Sequence, residues 1–200
     1  SLVPVLARDL LATDPQPPTA LDSSHVEPFR PNRAGRDPTG AMILRDPVHG
    51  LVAFESEEAD IVVRLLETKE VQRLRRIRQL GLTSLAFPGA EHTRFSHAIG
   101  AAHVMQLLVT RLRQIDGSLP FWQRLTSERA REAIAAAMLH DVGHGPFSHL
   151  FEDAIPRAPR HEAWTTRMIL DPEGDVHRVL AAEDPGLPKR IAELVDGRHE

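Results

Sequence analysis

Apolar residues recur along this chain with two different periods. Between Ala41 and Glu55, AMILRDPVHGLVAFE reads as two short strands around a DPVHG turn, where Pro47 fixes φ and Gly50 is free to take a positive one. Beyond this ribbon the period becomes helical. Ile61, Val62, Leu65 and Leu66 form one apolar face, and Val71, Leu74, Ile77 and Leu80 another. The pattern predicts a long helix from about Glu91 to Ile115 and a second from about Ser127 to Asp141. Within the second, AIAAAML is apolar on every side, which predicts a central, buried helix; Gly143, Gly145 and Pro146 predict its sharp end. Shorter helices are expected near 161–170 and 187–195. Residues 1–40 hold seven of the sixteen prolines and little periodicity. They read as an extended arm ahead of one domain spanning 41–200. The expected fold is all-α, a helical bundle with a small N-terminal β-ribbon.

Composition agrees with helices. Aromatic residues make up 4 % and Tyr is absent, so Ala, Leu, Ile and Val must fill the core. Two hundred residues suffice for one domain with an enclosed site. The net charge of −4 argues against sequence-blind nucleic-acid binding, while leaving room for a local basic pocket around one phosphorylated ligand. The absence of cysteine removes disulfides, thiolate metal sites and cysteine nucleophiles together. It fits a reducing compartment, and a cytoplasmic location is expected. The opening SLVPVLARDLLA is too short for a membrane span and charged in its middle, so no signal peptide or membrane association is expected.

Histidine changes the picture. There are eleven, of which seven fall between residues 92 and 161. His140 and Asp141 close a helix with no polar residue from Ala133 to Leu139, where a carboxylate is costly unless it is paired or coordinates a cation. Neighbouring helix positions point about 100° apart, so both reach one ion only if it lies between their directions. A third donor must come from another helix, and His97 is the natural one. Imidazole and carboxylate without sulfur suit Mn, Fe, Zn, Co or Ni, with Mg admissible but less natural.

A single buried histidine is more often a hydrogen-bonded core residue than a ligand. Here His144 and His149 follow the HD pair on a segment broken by Gly and Pro, which has little use for histidine in packing. His149 oriented by Glu152 reads as a proton-handling pair, since an imidazole held by a carboxylate works near neutral pH. Arg94 reads as a bidentate phosphate contact, against the plainer alternative of a surface ion pair with Glu91 or a nearby acid. His161 follows RAPRHEAW, where an exposed helix start is the competing reading. His25, His49, His103, His177 and His199 read as solvent-facing or structural. Arg73, Arg75, Arg76 and Arg78 read as a solvated helix face.

DPVHG, QRLRRIRQLG, FPGAEHTRFSHAIG and HDVGHGPFSHLFE, in that order, resemble the HD-domain deoxynucleoside triphosphate triphosphohydrolases, both the bacterial enzymes and the animal protein with a sterile-alpha-motif domain. The likeness runs from about Ile43 to His161. It implies a helical fold, a homo-oligomer, one divalent metal ion, and cleavage of a deoxynucleoside triphosphate to deoxynucleoside and intact triphosphate. It further implies that His97, His140 and Asp141 ligate the metal. His144, His149 and His161 match histidines around the scissile phosphate, with Glu152 supporting one of them; Arg94 matches a phosphate contact and Gln79 a residue near the sugar. Gln72 and Arg75 align with a second, regulatory nucleotide site in the animal enzyme. The family's fourth metal ligand is an Asp on a later helix, which this chain does not reach by Glu200. Asp171, Asp175, Asp184 and Asp196 stand in no such motif, so the chain reads as truncated on its C-terminal side, with weak activity of its own.

Two alternatives remain open. One is an HD-domain phosphodiesterase or nucleotidase, although HDVGHG lacks the Lys after HDxG, and the chain lacks the GYP motif, typical of cyclic-dinucleotide enzymes. The other is a nucleotide-binding HD module without turnover.

Overall fold

A computed structural model describes residues 42–197 apart from Asp116, Ser118, Ser148, Pro156 and the side chain of Trp122. The arm expected over 1–40 lies outside the described residues. Strands β1 (Met42–Asp46) and β2 (Gly50–Phe54) pair antiparallel, with Leu44 opposite Val52 and Met42 opposite Phe54. Asp46 makes the turn. Its Oδ1 accepts from the amides of Val48 and His49, and Gly50 takes φ +74°. Met42, Val52 and Phe54 face the core.

The helices are α1 (Asp60–Leu66), α2 (Lys69–Gln72), α3 (Arg94–Ile115), α4 (Ser127–Leu139), α5 (His149–Ala154), α6 (His161–Leu170), α7 (Asp175–Glu183) and α8 (Leu187–Asp196). The all-α expectation with its ribbon is therefore met. Ile61, Val62, Leu65 and Leu66 of α1 are all buried, as their spacing predicts. Helix α4 is capped by Thr126, whose Oγ1 accepts from the Arg129 amide, and lies against α3, α8 and α1. Its Ile134, Ala135, Met138 and Leu139 are buried, while Ala133, Ala136 and Ala137 are only half-buried. Small alanines on the outer side let His140 and the start of α3 come close. Gly197 at φ +66° ends α8 in the left-handed conformation that glycine adopts freely.

Four expectations shift. The face predicted through Leu80 stops at Ile77, and Leu80 is 47 % exposed. The reason is that α2 tightens into a 3₁₀ turn over Arg73–Arg76, and Ile77 is extended. From there the backbone pairs with the segment before α3: Arg94 N donates to Ile77 O and Gln79 N to His92 O. The same pairing delays α3 until Arg94, and Thr93 Oγ1 accepts from the Ser96 amide at its start. Helix α4 stops at Leu139, so His140 and Asp141 stand in the turn that follows it. Helices α5 and α7 were not expected; α7 buries Val176 and Leu180, a four-residue spacing too short to register as a period. Among the described residues no helix is long and apolar enough to cross a membrane.

Candidate metal centre

The turn after α4 and the first turns of α3 meet, and they bring three donors together. His97 Nε2 and His140 Nε2 are 3.2 Å apart. Asp141 Oδ2 is 3.5 Å from His97 Nε2, and Asp141 Oδ1 is 3.5 Å from His140 Nε2. The two contacts use different oxygens of the carboxylate, and one donor atom from each of the three residues lies within 4.8 Å of the others, close enough for the three to converge on one cation. The tautomer of His140 is set for it. Its Nδ1 lies 2.8 Å from Ala137 O and must carry the proton there, leaving Nε2 with its lone pair.

Arg94 is 3 % exposed and donates to Asp141 Oδ2 at 2.5 Å. The surface pair with Glu91 is instead made by Arg78, at 3.0 Å. Burial works to raise the Asp141 carboxyl. The His144 hydrogen bond and the charges of His140, His144 and Arg94 outweigh it and hold the group well below the usual carboxylate range. Burial above all pushes His97 and His144 below the usual imidazole value, favouring the neutral ring that can act as a ligand or proton acceptor.

A second set of histidines adjoins the first. His144 is 2 % exposed, with Nε2 3.3 Å from Asp141 Oδ1. Its ring stacks on His161 at 3.7 Å between centroids and 14° between planes. His149, whose side chain is 64 % exposed, lies edge-on to both at 5.2 and 5.1 Å. Glu152 joins the set. Its Oε1 accepts from the amide and Nδ1 of His161, both at 2.9 Å, while Oε2 is 3.5 Å from His149 Nδ1. The carboxylate thus holds His161 more closely than His149, which the sequence pointed to. Burial works to raise Glu152 as well, but its bonds from His161 lower it on balance. His161 is no exposed helix start: only 13 % of its side chain is exposed.

The loop between the two sets is gripped from both sides. Gly143 N donates to Thr165 Oγ1 at 2.9 Å, and a Cβ on Gly143 would lie 2.2 Å from Thr165 N. From the other side Arg73 donates through one guanidinium nitrogen to Val142 O at 2.5 Å and His144 O at 2.8 Å. Neither Arg73 nor Thr165 was singled out in the sequence. Arg73 was grouped with its neighbours as solvated, yet Arg75, Arg76 and Arg78 are exposed and Arg73 is not. Its place directly before buried Leu74 was the available signal.

Gln79 is tied by its backbone amide to His92 O, and its Oε1 is buried with no partner among the described residues. Gln72 and Arg75 do meet: Arg75 Nε donates to Gln72 Oε1 at 2.8 Å, and the guanidinium sits 3.6 Å over the Phe95 ring. Three of the four later acids weighed in the sequence are occupied elsewhere. Asp175 takes the Lys69 amide and Asp184 takes Arg190, while Asp171 caps the Glu173 amide. Among the described residues, none of them joins the convergent His/Asp group.

Residues 94–200, from the first residue of α3 onward, match the family model of the HD domain. The chain belongs to the HD-domain family. The chain is similar to the uncharacterized protein YwfO of Bacillus subtilis (strain 168), 40 % identical over 153 residues, which are 76 % of this chain and 33 % of that protein. It is 33 % identical over 167 residues to a Dictyostelium discoideum protein named deoxynucleoside triphosphate triphosphohydrolase SAMHD1 homolog, covering 80 % of this chain and 30 % of that one. Among solved structures, a Bacteroides thetaiotaomicron phosphohydrolase aligns with a TM-score of 0.61 at 32 % identity, over 80 % of this chain and 35 % of its own. The resemblance to HD-domain phosphohydrolases read in the motifs is borne out at the level of the family. The chain spans about a third of the length of these relatives.

Proposed function

We propose that this chain carries the metal-binding and phosphate-handling part of an HD-domain phosphohydrolase whose substrate is a deoxynucleoside triphosphate, released as deoxynucleoside and triphosphate. The observation that carries this reading is the meeting of His97, His140 and Asp141 within 3.5 Å, beside a wall of three further histidines tied to Glu152. A divalent ion held there, Mn, Fe, Zn, Co or Ni before Mg, supplies charge neutralisation at a phosphoryl oxygen and an acidified water.

The chain's own residues do the rest. Arg94, fixed against Asp141, lends the site its positive charge for phosphate oxygens. His161 keeps its Nδ1 proton on Glu152, so its Nε2 is free to accept a proton from water. His149, exposed at the mouth, is placed to return a proton to the departing 5′ oxygen. One water is consumed for each phosphorus–oxygen bond broken, and the deoxynucleoside leaves with the hydroxyl. Gln79 stands on the same side and serves the sugar. Gln72 with Arg75 forms a separate polar pair on the surface, suited to a regulatory nucleotide, and a homo-oligomer is the expected assembly.

The test is titration of metal-free protein with Mn(II), followed by product analysis with each deoxynucleoside triphosphate, a ribonucleoside triphosphate and a cyclic dinucleotide. Stoichiometric Mn(II) binding and triphosphate as the phosphorus product support the reading. Orthophosphate or pyrophosphate as the product, or turnover of the cyclic dinucleotide alone, overturns it. Three protein ligands leave the ion less fixed, so weak turnover is expected from the 200 residues alone and metal binding is the first readout. The bond from Arg94 to Asp141 favours a second reading, a nucleotide-binding module without turnover, because a carboxylate neutralised by arginine attracts a cation less. Nucleotide binding with no metal uptake would establish that reading instead.

A further inference from the structure

Arg73 is a cation in a place where cations are costly. Its side chain is half-buried, and among the described residues no carboxylate lies within ion-pair distance. Its charge is spent on two backbone carbonyls. One nitrogen donates to Val142 O and His144 O, the two residues that bracket Gly143 in the turn carrying Asp141. Charge-assisted bonds of this kind are shorter and about twice as strong as neutral ones. Burial disfavours this guanidinium and the charge of Glu70, beyond ion-pair distance, offsets that only in part, so the two carbonyls are its direct oxygen contacts.

What the bonds fix is the direction of two side chains. Asp141 directly precedes Val142, and His144 carries the second carbonyl. The backbone bond from His144 N to Asp141 O closes the same turn at 3.1 Å. If the turn rotates, Asp141 leaves the triangle with His97 and His140, and His144 leaves the stack with His161. Arg73 also lines a cavity of about 260 Å³ together with His144, Glu152, His161 and Trp164. The Nε of Arg73 and the Nδ1 of His144 are both buried with no partner among the described residues.

We infer that Arg73 is a positioning residue: it clamps the turn after α4 by its two carbonyls and so sets the orientation of Asp141 and His144 on which metal retention depends. The inference rests on the metal-site reading above and adds a residue that reading does not contain. Because Arg73 is not a metal donor, its effect on ion binding must appear as a loosened turn rather than a lost ligand.

The experiment compares wild type with Arg73→Met and Arg73→Lys, each in metal-free form. Three quantities are read: Mn(II) affinity by calorimetry, thermal unfolding, and amide hydrogen exchange over residues 140–146. At a temperature where all three proteins are folded, Arg73→Met should bind Mn(II) about 10–100-fold more weakly, in the range expected for loss of a supporting contact to a ligand. Exchange in the turn should rise while exchange in α4 does not. Arg73→Lys, which keeps a charge and can reach one carbonyl, should recover part of the affinity. A merely structural role would lower the melting temperature and leave affinity of the folded protein unchanged; that result overturns the inference. If Arg73→Met fails to fold, the Lys variant decides alone: wild-type affinity and wild-type exchange in the turn overturn it. Absence of Mn(II) binding by the wild type overturns the metal-site reading and this inference with it. Binding by the wild type with equal binding by the variants overturns only the inference.

Discussion

Gly143→Ala puts the close approach of the HD turn to α6 to a direct test. Gly143 has an ordinary negative φ, since the positive values among the described residues belong to Gly50, Gly81, Phe147 and Gly197. Backbone conformation alone therefore permits alanine. Without a clash, alanine would stabilise the protein by about 0.4–1 kcal/mol by narrowing the unfolded ensemble. The structure predicts the opposite sign. The new Cβ would lie 2.2 Å from Thr165 N, 2.4 Å from His161 O and 2.6 Å from Thr165 Oγ1. Two of these three atoms are backbone and cannot swing aside, so α6 must retreat by about 1 Å, an overpacking that costs about 1–3 kcal/mol. The bond from Gly143 N to Thr165 Oγ1 stretches with it, at about 1 kcal/mol more. Less the gain from the unfolded state, a net loss of about 1–3.6 kcal/mol lowers the melting temperature by about 2–14 °C for a domain of this size. The damage should also be directional. His161 rides on α6 and His140 does not, so the His144–His161 stack opens while the His97–His140–Asp141 triangle largely holds. Urea unfolding gives the first quantity, and Mn(II) titration beside turnover gives the second. A variant more stable than wild type would refute the packing argument. One that loses metal affinity as much as turnover would refute the claim that α6 serves the histidine wall and not the ion.

Asp141→Asn should abolish Mn(II) binding and also destabilise the metal-free protein by about 3–5 kcal/mol, because it removes the negative charge of a buried ion pair with Arg94; chelated melting curves of the single variant and of Arg94→Met/Asp141→Asn check it, the double variant being expected to recover more than half the loss. Glu152→Gln should lower kcat with little change in KM, since it weakens the hold on His161 Nδ1 without removing a metal donor; steady-state kinetics at fixed Mn(II) decide, and a change confined to KM would contradict it. The hydrogen bond from Arg113 is the main reason that Glu58 sits at about 2 against an ordinary 4.5, with burial working the other way. A lowered folded value means the stabilisation is complete above about pH 4.5 and disappears as pH falls towards about 2; with Arg113 37 % exposed, solvent screening reduces it to about 1–2 kcal/mol. Urea midpoints between pH 5 and 2.5 should fall more steeply in the wild type than in Arg113→Gln, and equal slopes would count against the pair.

Where one face of an element is buried and the other is wet, the period of the sequence reports it directly. That is why α1, α3, α6 and α8 and the ribbon around DPVHG were legible. The segment 71–80 misled because Val71, Leu74, Ile77 and Leu80 keep helical spacing through a stretch that is helical only in part. Ile77 is buried from an extended backbone, held by its carbonyl to Arg94 N, and that tertiary bond leaves no trace in local spacing. Helix α7 failed for the opposite reason. Its stability comes from outside, with Glu70 Oε1 accepting the Asp175 amide and Lys69 reaching the Asp175 carboxylate across the chain.

The site was legible to a different depth for each kind of residue. His97, His140 and Asp141 announce themselves because ionisable groups beside an apolar helix demand an explanation, and a shared cation is one that satisfies all three at once. Arg94 was ambiguous in the sequence because arginine is at home on a surface; only its burial against Asp141 separates the two readings. Arg73 was misread among arginines, because the property that distinguishes it is the pair of carbonyls it meets, and a carbonyl has no letter in a sequence. Gly143 lies between these cases. Its identity is visible, but the helix had already stopped at Leu139, so it is not needed to end α4. The requirement for glycine comes from His161 and Thr165, which approach from a helix about twenty residues onward and leave no room for a side chain. Sequence therefore names the groups that do chemistry more readily than the groups that aim them, since the first are chosen for what their side chains are and the second for what stands opposite.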